Sequence, residues 1–182
     1  MVSKHLLDGW PIPIESRAID DLLPTVRQMC YHFLQECQTY RIDIIITSTF
    51  RDFEAQKKAH AAGLSHWPPG WSWHNHRAAF DIIPVVFGKP IGEQTSGELE
   101  IWEQVGECGR TAGLEWGGDW LVKRERGHFQ YTYGRSIKDV SNGVGLGETM
   151  EGRSTFGNGG WSGFVDRWAP AIIASYLKNG RH

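Results

Sequence analysis

The sequence predicts one α+β domain with a helical C-terminal extension, on three observations. Its 182 residues have an ordinary globular composition, enough chain for a single core. Helical spacing of apolar residues alternates along the chain with short β-branched runs. The sequence has no internal repeat and no apolar run long enough to span a membrane.

Residues 1–15 read as a lead-in in which Pro11 and Pro13 favour extended backbone. Ser16 is placed to cap a helix that breaks or restarts near Pro24. Over 22–40, Leu22, Val26, Met29, Cys30, Phe33, Leu34 and Cys37 recur at three- and four-residue steps, an amphipathic helix. Residues 42–49, rich in β-branched side chains, read as a buried strand. Residues 51–62 follow as a helix, with Phe53, Gln56 and His60 at helical intervals. Glycine and tandem proline make 63–70 a loop.

A second buried strand is predicted over 80–87, broken by Pro84, and a helix over 97–112. Residues 113–120 form a glycine-rich turn and 128–133 a short strand. The stretch 141–160, rich in Gly, Ser and Asn, reads as a surface linker. A last amphipathic helix covers 164–177, started or kinked by Pro170.

Composition narrows the function. Lys plus Arg is 19 against 21 for Asp plus Glu, so no basic stripe points to a nucleic acid. Three cysteines, Cys30, Cys37 and Cys108, are odd in number and irregular in spacing, which argues against a disulfide framework. They read as reduced packing residues, in keeping with synthesis in a reducing cytoplasm. The N-terminal stretch has no long apolar core of a signal peptide. A substrate outside the cytoplasm would then be met only after release. Nine tryptophans is a high count, and Trp71, Trp73, Trp116 and Trp120 flank polar motifs. Indoles there line grooves or fill cores, and the core is the default.

The chemistry gathers in Trp71-Ser-Trp-His-Asn-His-Arg-Ala-Ala-Phe-Asp81. His74 and Asp81 offer the nitrogen and oxygen ligands that Zn²⁺ accepts, and Glu125-Arg-Gly-His128 can supply a third. Three protein ligands leave a position open for water, the mark of a catalytic zinc site. On a strand His76 would share a face with His74 and compete for the role, whereas Asp81 would lie opposite. A loop or bulge must therefore separate His74 from Asp81. Glu125, three residues before His128, can act as a base toward water. The competing readings are a solvated charge for Glu125 and a core histidine for His128. Arg51, at the end of a strand, can hold a carboxylate or an oxyanion, or else pair at the surface with Asp52 or Glu54.

Four segments carry a family resemblance: Ser-Thr-Phe-Arg-Asp-Phe-Glu-Ala-Gln (48–56), Ser-Trp-His-Asn-His-Arg-Ala-Ala-Phe-Asp (72–81), Gly-Leu-Glu-Trp-Gly-Gly-Asp-Trp (113–120) and Glu-Arg-Gly-His-Phe-Gln (125–130). In that order they resemble the D-alanyl-D-alanine carboxypeptidase family of zinc peptidases. Within it they are most similar to phage endolysins that act as L-alanyl-D-glutamate endopeptidases.

The resemblance implies a small antiparallel sheet with flanking helices, of the Hedgehog and D-Ala-D-Ala-peptidase type. It implies zinc held by His74, Asp81 and His128, with Glu125 as catalytic base and Arg51 binding substrate and oxyanion. Gln56, Ser72 and Trp116 are expected near the substrate. The family's glycine is Arg77 here, which alters the local backbone or cleft width, or adds a charge that attracts an acidic stem peptide. A peptidase domain over 1–146 and an extension over 147–182, packed on it, complete the expectation.

The implied function is a monomeric, zinc-dependent peptidoglycan peptidase cutting a stem-peptide bond, most simply L-alanyl-D-glutamate. It would be a bacteriophage product that degrades the cell wall, with no nucleic-acid partner and no membrane insertion. The alternatives are a D-alanyl-D-alanine carboxypeptidase and a non-catalytic wall-binding or virion structural module.

Overall fold

The computed structural model describes residues 13–93, 98–148 and 150. The expected helix over 164–177 and the larger part of the extension lie outside the described residues. Helix α1 (Pro24–Thr39) places Val26, Cys30, Phe33, Leu34 and Cys37 on its buried stripe. Pro24 opens it, where a missing N–H costs nothing. Ser16 does not cap it. Its hydroxyl instead bonds Asp21 and accepts from the Ala18 amide, organising the turn before α1. The Thr25 amide donates to the Glu148 carboxylate at 3.1 Å, so a distant residue supplies the acceptor near this helix start.

The strands are β1 (Asp43–Ser48), β2 (Ala79–Val86), β3 (Lys89–Pro90), β4 (Glu115–Trp116) and β5 (His128–Gln130). Their order is β1-β2-β5-β4, all antiparallel, with β3 paired to β2. Pro84 does not break β2. The Ile82 amide donates to Gly127 O on the edge away from β1, and the absent N–H of Pro84 falls on that same edge. The ladder to β1 thus loses no donor.

One face of the sheet meets α1 and α3 (Leu99–Thr111), where Ile44, Ile46, Phe80, Ile82, Trp116 and Phe129 join the core. Period-two alternation turns Asp81, His128 and Gln130 to the other face. The register of β1 slips between Ile46 and Ser48, which sets Ser48 opposite Asp81, itself opposite His128. The slip thus lines up three polar residues across the sheet. Helix α2 (Phe53–Ala61) starts at Asp52, whose carboxylate accepts from the Ala55 amide at 2.7 Å. Among strands and α-helices, three short ones escaped the sequence: β3, β4 within the glycine-rich turn, and α4 (Ile137–Ser141).

Candidate metal centre

His74 lies on a 3-10 turn, Trp73–His76, that Arg77 closes in the left-handed conformation at φ 59°. This is the loop that the His74 to Asp81 spacing requires. The turn is braced from behind, since Asn75 Nδ2 donates to Arg51 O at 2.8 Å and Arg51 N to His74 O at 3.3 Å. His76 does not compete for the ligand role, because its Nε2 contacts Gly70 O at 2.9 Å.

His74 Nε2 lies 3.2 Å from Asp81 Oδ1, and His128 Nδ1 lies 2.9 Å from the same oxygen. One ligand atom from each of the three residues falls within 4.8 Å of the others. The outer nitrogens are tied. His74 Nδ1 donates to Thr49 O at 2.9 Å, and His128 Nε2 donates to Gln130 Oε1 at 3.0 Å. Gln130 Nε2 in turn donates to Glu115 Oε2 at 3.0 Å, which fixes the amide's orientation. In the neutral tautomers so selected, two imidazole lone pairs and a carboxylate oxygen converge on one point. Three acceptors facing one another repel unless a cation sits among them, so the donor set fits a metal.

The proton affinity of each of the three groups is shifted by its neighbours. Burial lowers the proton affinity of His74 despite the Asp81 carboxylate beside it. Burial also works against a charged His128, but the hydrogen bond and charge of Asp81, aided by Gln130 and Glu125, raise it. Asp81 is held well below the ordinary carboxylate range: the two histidines outweigh the opposing effect of burial.

Arg51 is buried and points Nη2 at Asp81 Oδ2, 3.5 Å away. It pairs with neither Asp52 nor Glu54. Its Nε has no partner among the described residues. Glu125 lies on the loop before β5, where its amide donates to Gly117 O and its carbonyl accepts from the His128 amide. A Cβ on Gly117 would come within 2.3 Å of Glu125 O, so glycine is what lets this loop close on β5. A cleft of about 700 Å³ brings together Arg51, Ser72, His74, Asp81, Glu125 and His128.

Three expectations need correction. Trp116 is core, 2% exposed, its Nε1 donating to Arg126 O and its ring stacked on Phe129. Gln56 is buried behind the cleft wall, where its amide holds Ser65 Oγ at 2.8 Å and Trp67 O at 2.7 Å. It shapes the loop and does not face the cleft. Arg77 offers no charge to a substrate either. It donates to Asp21 O at 2.9 Å and lies over the Phe50 ring, 3.7 Å from the centroid.

The sequence reading missed Gln130 as the partner of His128, and Trp67, Trp73 and Trp120 as cleft residues. For Gln130 a signal existed, since His-x-Gln on a strand shares one face. For the tryptophans, sequence alone does not separate Trp120 in the wall from Trp116 in the core.

Comparison with known proteins follows the same lines. Residues 66–131 match the family model described as D-alanyl-D-alanine carboxypeptidase. Over 141 residues the chain is 26% identical to the peptidoglycan L-alanyl-D-glutamate endopeptidase CwlK of Bacillus subtilis (strain 168), covering 70% of this chain and 80% of that protein. The crystal structure of the L-Ala D-Glu endopeptidase ChiX of Serratia marcescens is similar in fold. It has a TM-score of 0.53 at 21% identity, covering 68% of this chain and 86% of that one.

Proposed function

From a chain related to the D-alanyl-D-alanine carboxypeptidase family, we propose a metal-dependent peptidoglycan peptidase that hydrolyses a stem-peptide amide, the L-alanyl-D-glutamate bond. The observation that carries this is the convergence of His74, Asp81 and His128 beside Glu125 in one open cleft. His74, Asp81 and His128 would hold the metal, and two imidazoles with one carboxylate suit zinc. Zinc held there would supply a water of pKa about 7 and polarisation of the carbonyl.

The protein's own groups do the rest. Glu125 takes the proton of the attacking water and returns it to the departing amine. Arg51, which lines the cleft with Nη2 beside Asp81, offers guanidinium donors to the carbonyl oxygen as it becomes an oxyanion. Ser72, in the cleft wall, adds a hydroxyl toward the peptide.

Besides the metal ligands, the cleft is lined by residues of several elements, Pro13, Lys58 and Trp120 among them. The endopeptidase is favoured over the carboxypeptidase by the likeness to CwlK, an L-alanyl-D-glutamate endopeptidase. Mass spectrometry of digested muropeptides is the test. New termini at L-alanine and D-glutamate are expected, whereas loss of a single D-alanine identifies the carboxypeptidase.

A non-catalytic wall-binding or virion module has no use for Glu125. Glu125→Ala is expected to keep its metal and lose activity by about 10²–10⁴-fold. Full activity in that variant removes the base assignment. From the motif resemblance we further propose a phage endolysin that acts as a single chain, made in the host cytoplasm and reaching the wall after release. Host cells producing it should lyse only when the membrane is opened, and light scattering should give a single-chain mass.

A further inference from the structure

Beside the metal centre a second groove of about 380 Å³ opens, walled by Trp67, Trp71, Trp73 and Trp120. It adjoins the main cleft, since Trp67, Trp73, Trp120, Glu125 and Gln130 line both. Trp71 belongs to the side groove and not to the cleft around the metal ligands. Trp71 and Trp67 remain 36% and 48% exposed. Exposed indoles grouped in a concavity make a binding surface, since each offers a broad apolar face and a polar edge. His66 and Lys123 add hydrogen-bonding groups to the same wall. Flat apolar faces ringed by donors and acceptors suit a pyranose, whose C–H face stacks while its hydroxyls reach the rim.

We propose that this groove binds a sugar of the glycan strand while the attached stem peptide lies in the main cleft. The inference rests on the peptidoglycan-peptidase reading and makes it more specific. In peptidoglycan the first stem residue, L-alanine, is joined to the lactyl group of muramic acid. A scissile L-alanyl-D-glutamate bond is therefore one residue from the sugar, about 3.5 Å of extended chain plus the lactyl arm. The groove begins on the Glu125 and Trp120 side chains that also wall the centre, so the sugar is within reach. A D-alanyl-D-alanine bond would leave the sugar several residues away, beyond the groove.

The test compares two substrates with the same stem peptide on the metal-loaded full chain, one free and one carrying the N-acetylglucosaminyl-N-acetylmuramyl disaccharide. The disaccharide-peptide is expected to have at least tenfold higher kcat/KM. Trp71→Ala should remove that advantage and leave the free peptide unchanged. Equal kcat/KM for the two substrates in the parent, or an equal loss on both in Trp71→Ala, overturns the proposal. Tryptophan fluorescence titrated with the disaccharide alone gives a readout that needs no turnover. Saturable binding weakened tenfold by Trp71→Ala supports the groove, and absence of binding overturns it. If neither substrate is cut, the peptidase reading fails and the titration still decides the groove.

Discussion

Arg77 and Gln130 are the residues whose placement explains most about the centre beyond its ligands. Arg77 occupies a left-handed position that glycine adopts freely, and its guanidinium anchors the turn to Asp21 and Phe50. Arg77→Ala keeps the backbone strain and loses the anchor, whereas Arg77→Gly loses the anchor but relieves the strain. The glycine variant should therefore be more stable than the alanine variant by about 1 kcal/mol, read from urea midpoints. Equal midpoints would mean that the conformation carries no strain.

Gln130 orients His128 by accepting from its outer nitrogen. Gln130→Leu is expected to weaken metal binding by about 10–100-fold with the fold intact, measured by competition with a chromophoric chelator. Protons compete at the same nitrogens. His128 is the histidine whose proton affinity is raised and His74 the one whose affinity is lowered, so acidification protonates His128 first. Metal affinity should fall as pH drops through the imidazole range, by about tenfold per unit for each proton displaced. Affinity flat from neutral pH down to about 5 would exclude His128, whose proton affinity is raised, as a ligand.

Helix α3 and strand β5 meet through glycine. A Cβ built on Gly109 would lie 2.3 Å from the Phe129 ring, and one on Gly106 would lie 2.4 Å from Trp116. Alanine in a helix normally gains about 1 kcal/mol over glycine, yet overpacking a core costs about 1–3 kcal/mol. Gly109→Ala should thus lower the thermal midpoint, and because Phe129 sits between His128 and Gln130, it should lower metal content too. A higher midpoint would show that the helix has room to move away. The longer elements were legible because burial imposes a period: the stripe of α1 and the β-branched run of β1 match their packed faces. Two-residue β4 and five-residue α4 are too short to carry a period. Pro84 misled because the ladder edge on which its missing N–H falls is a property of the assembled sheet. Trp116 misled in the same way. The glycines that make room for its ring, Gly106 and Gly118, meet it only in the assembled fold.

Across the whole molecule, the metal ligands come from a turn, a central strand and a strand far along the chain. Local periodicity placed the elements, but only the sheet register brings Ser48, Asp81 and His128 into one row. An ion held by His74, Asp81 and His128 would tie β2 and β5 to the 3-10 turn, and the unfolded chain has no such site. Binding that favours the folded state stabilises it by about 2.7 kcal/mol when free metal is 100 times its Kd. For a chain of this size that is roughly 5–10 °C in Tm. Removing metal with a chelator should lower Tm by that amount, and zinc should restore it. The Glu125→Ala protein should show the same shift, because the base takes no part in holding the ion. His128→Ala should show none, since its Tm no longer responds to metal. If the parent and His128→Ala proteins respond alike, the ion binds elsewhere and the three convergent side chains are a polar cluster without a metal.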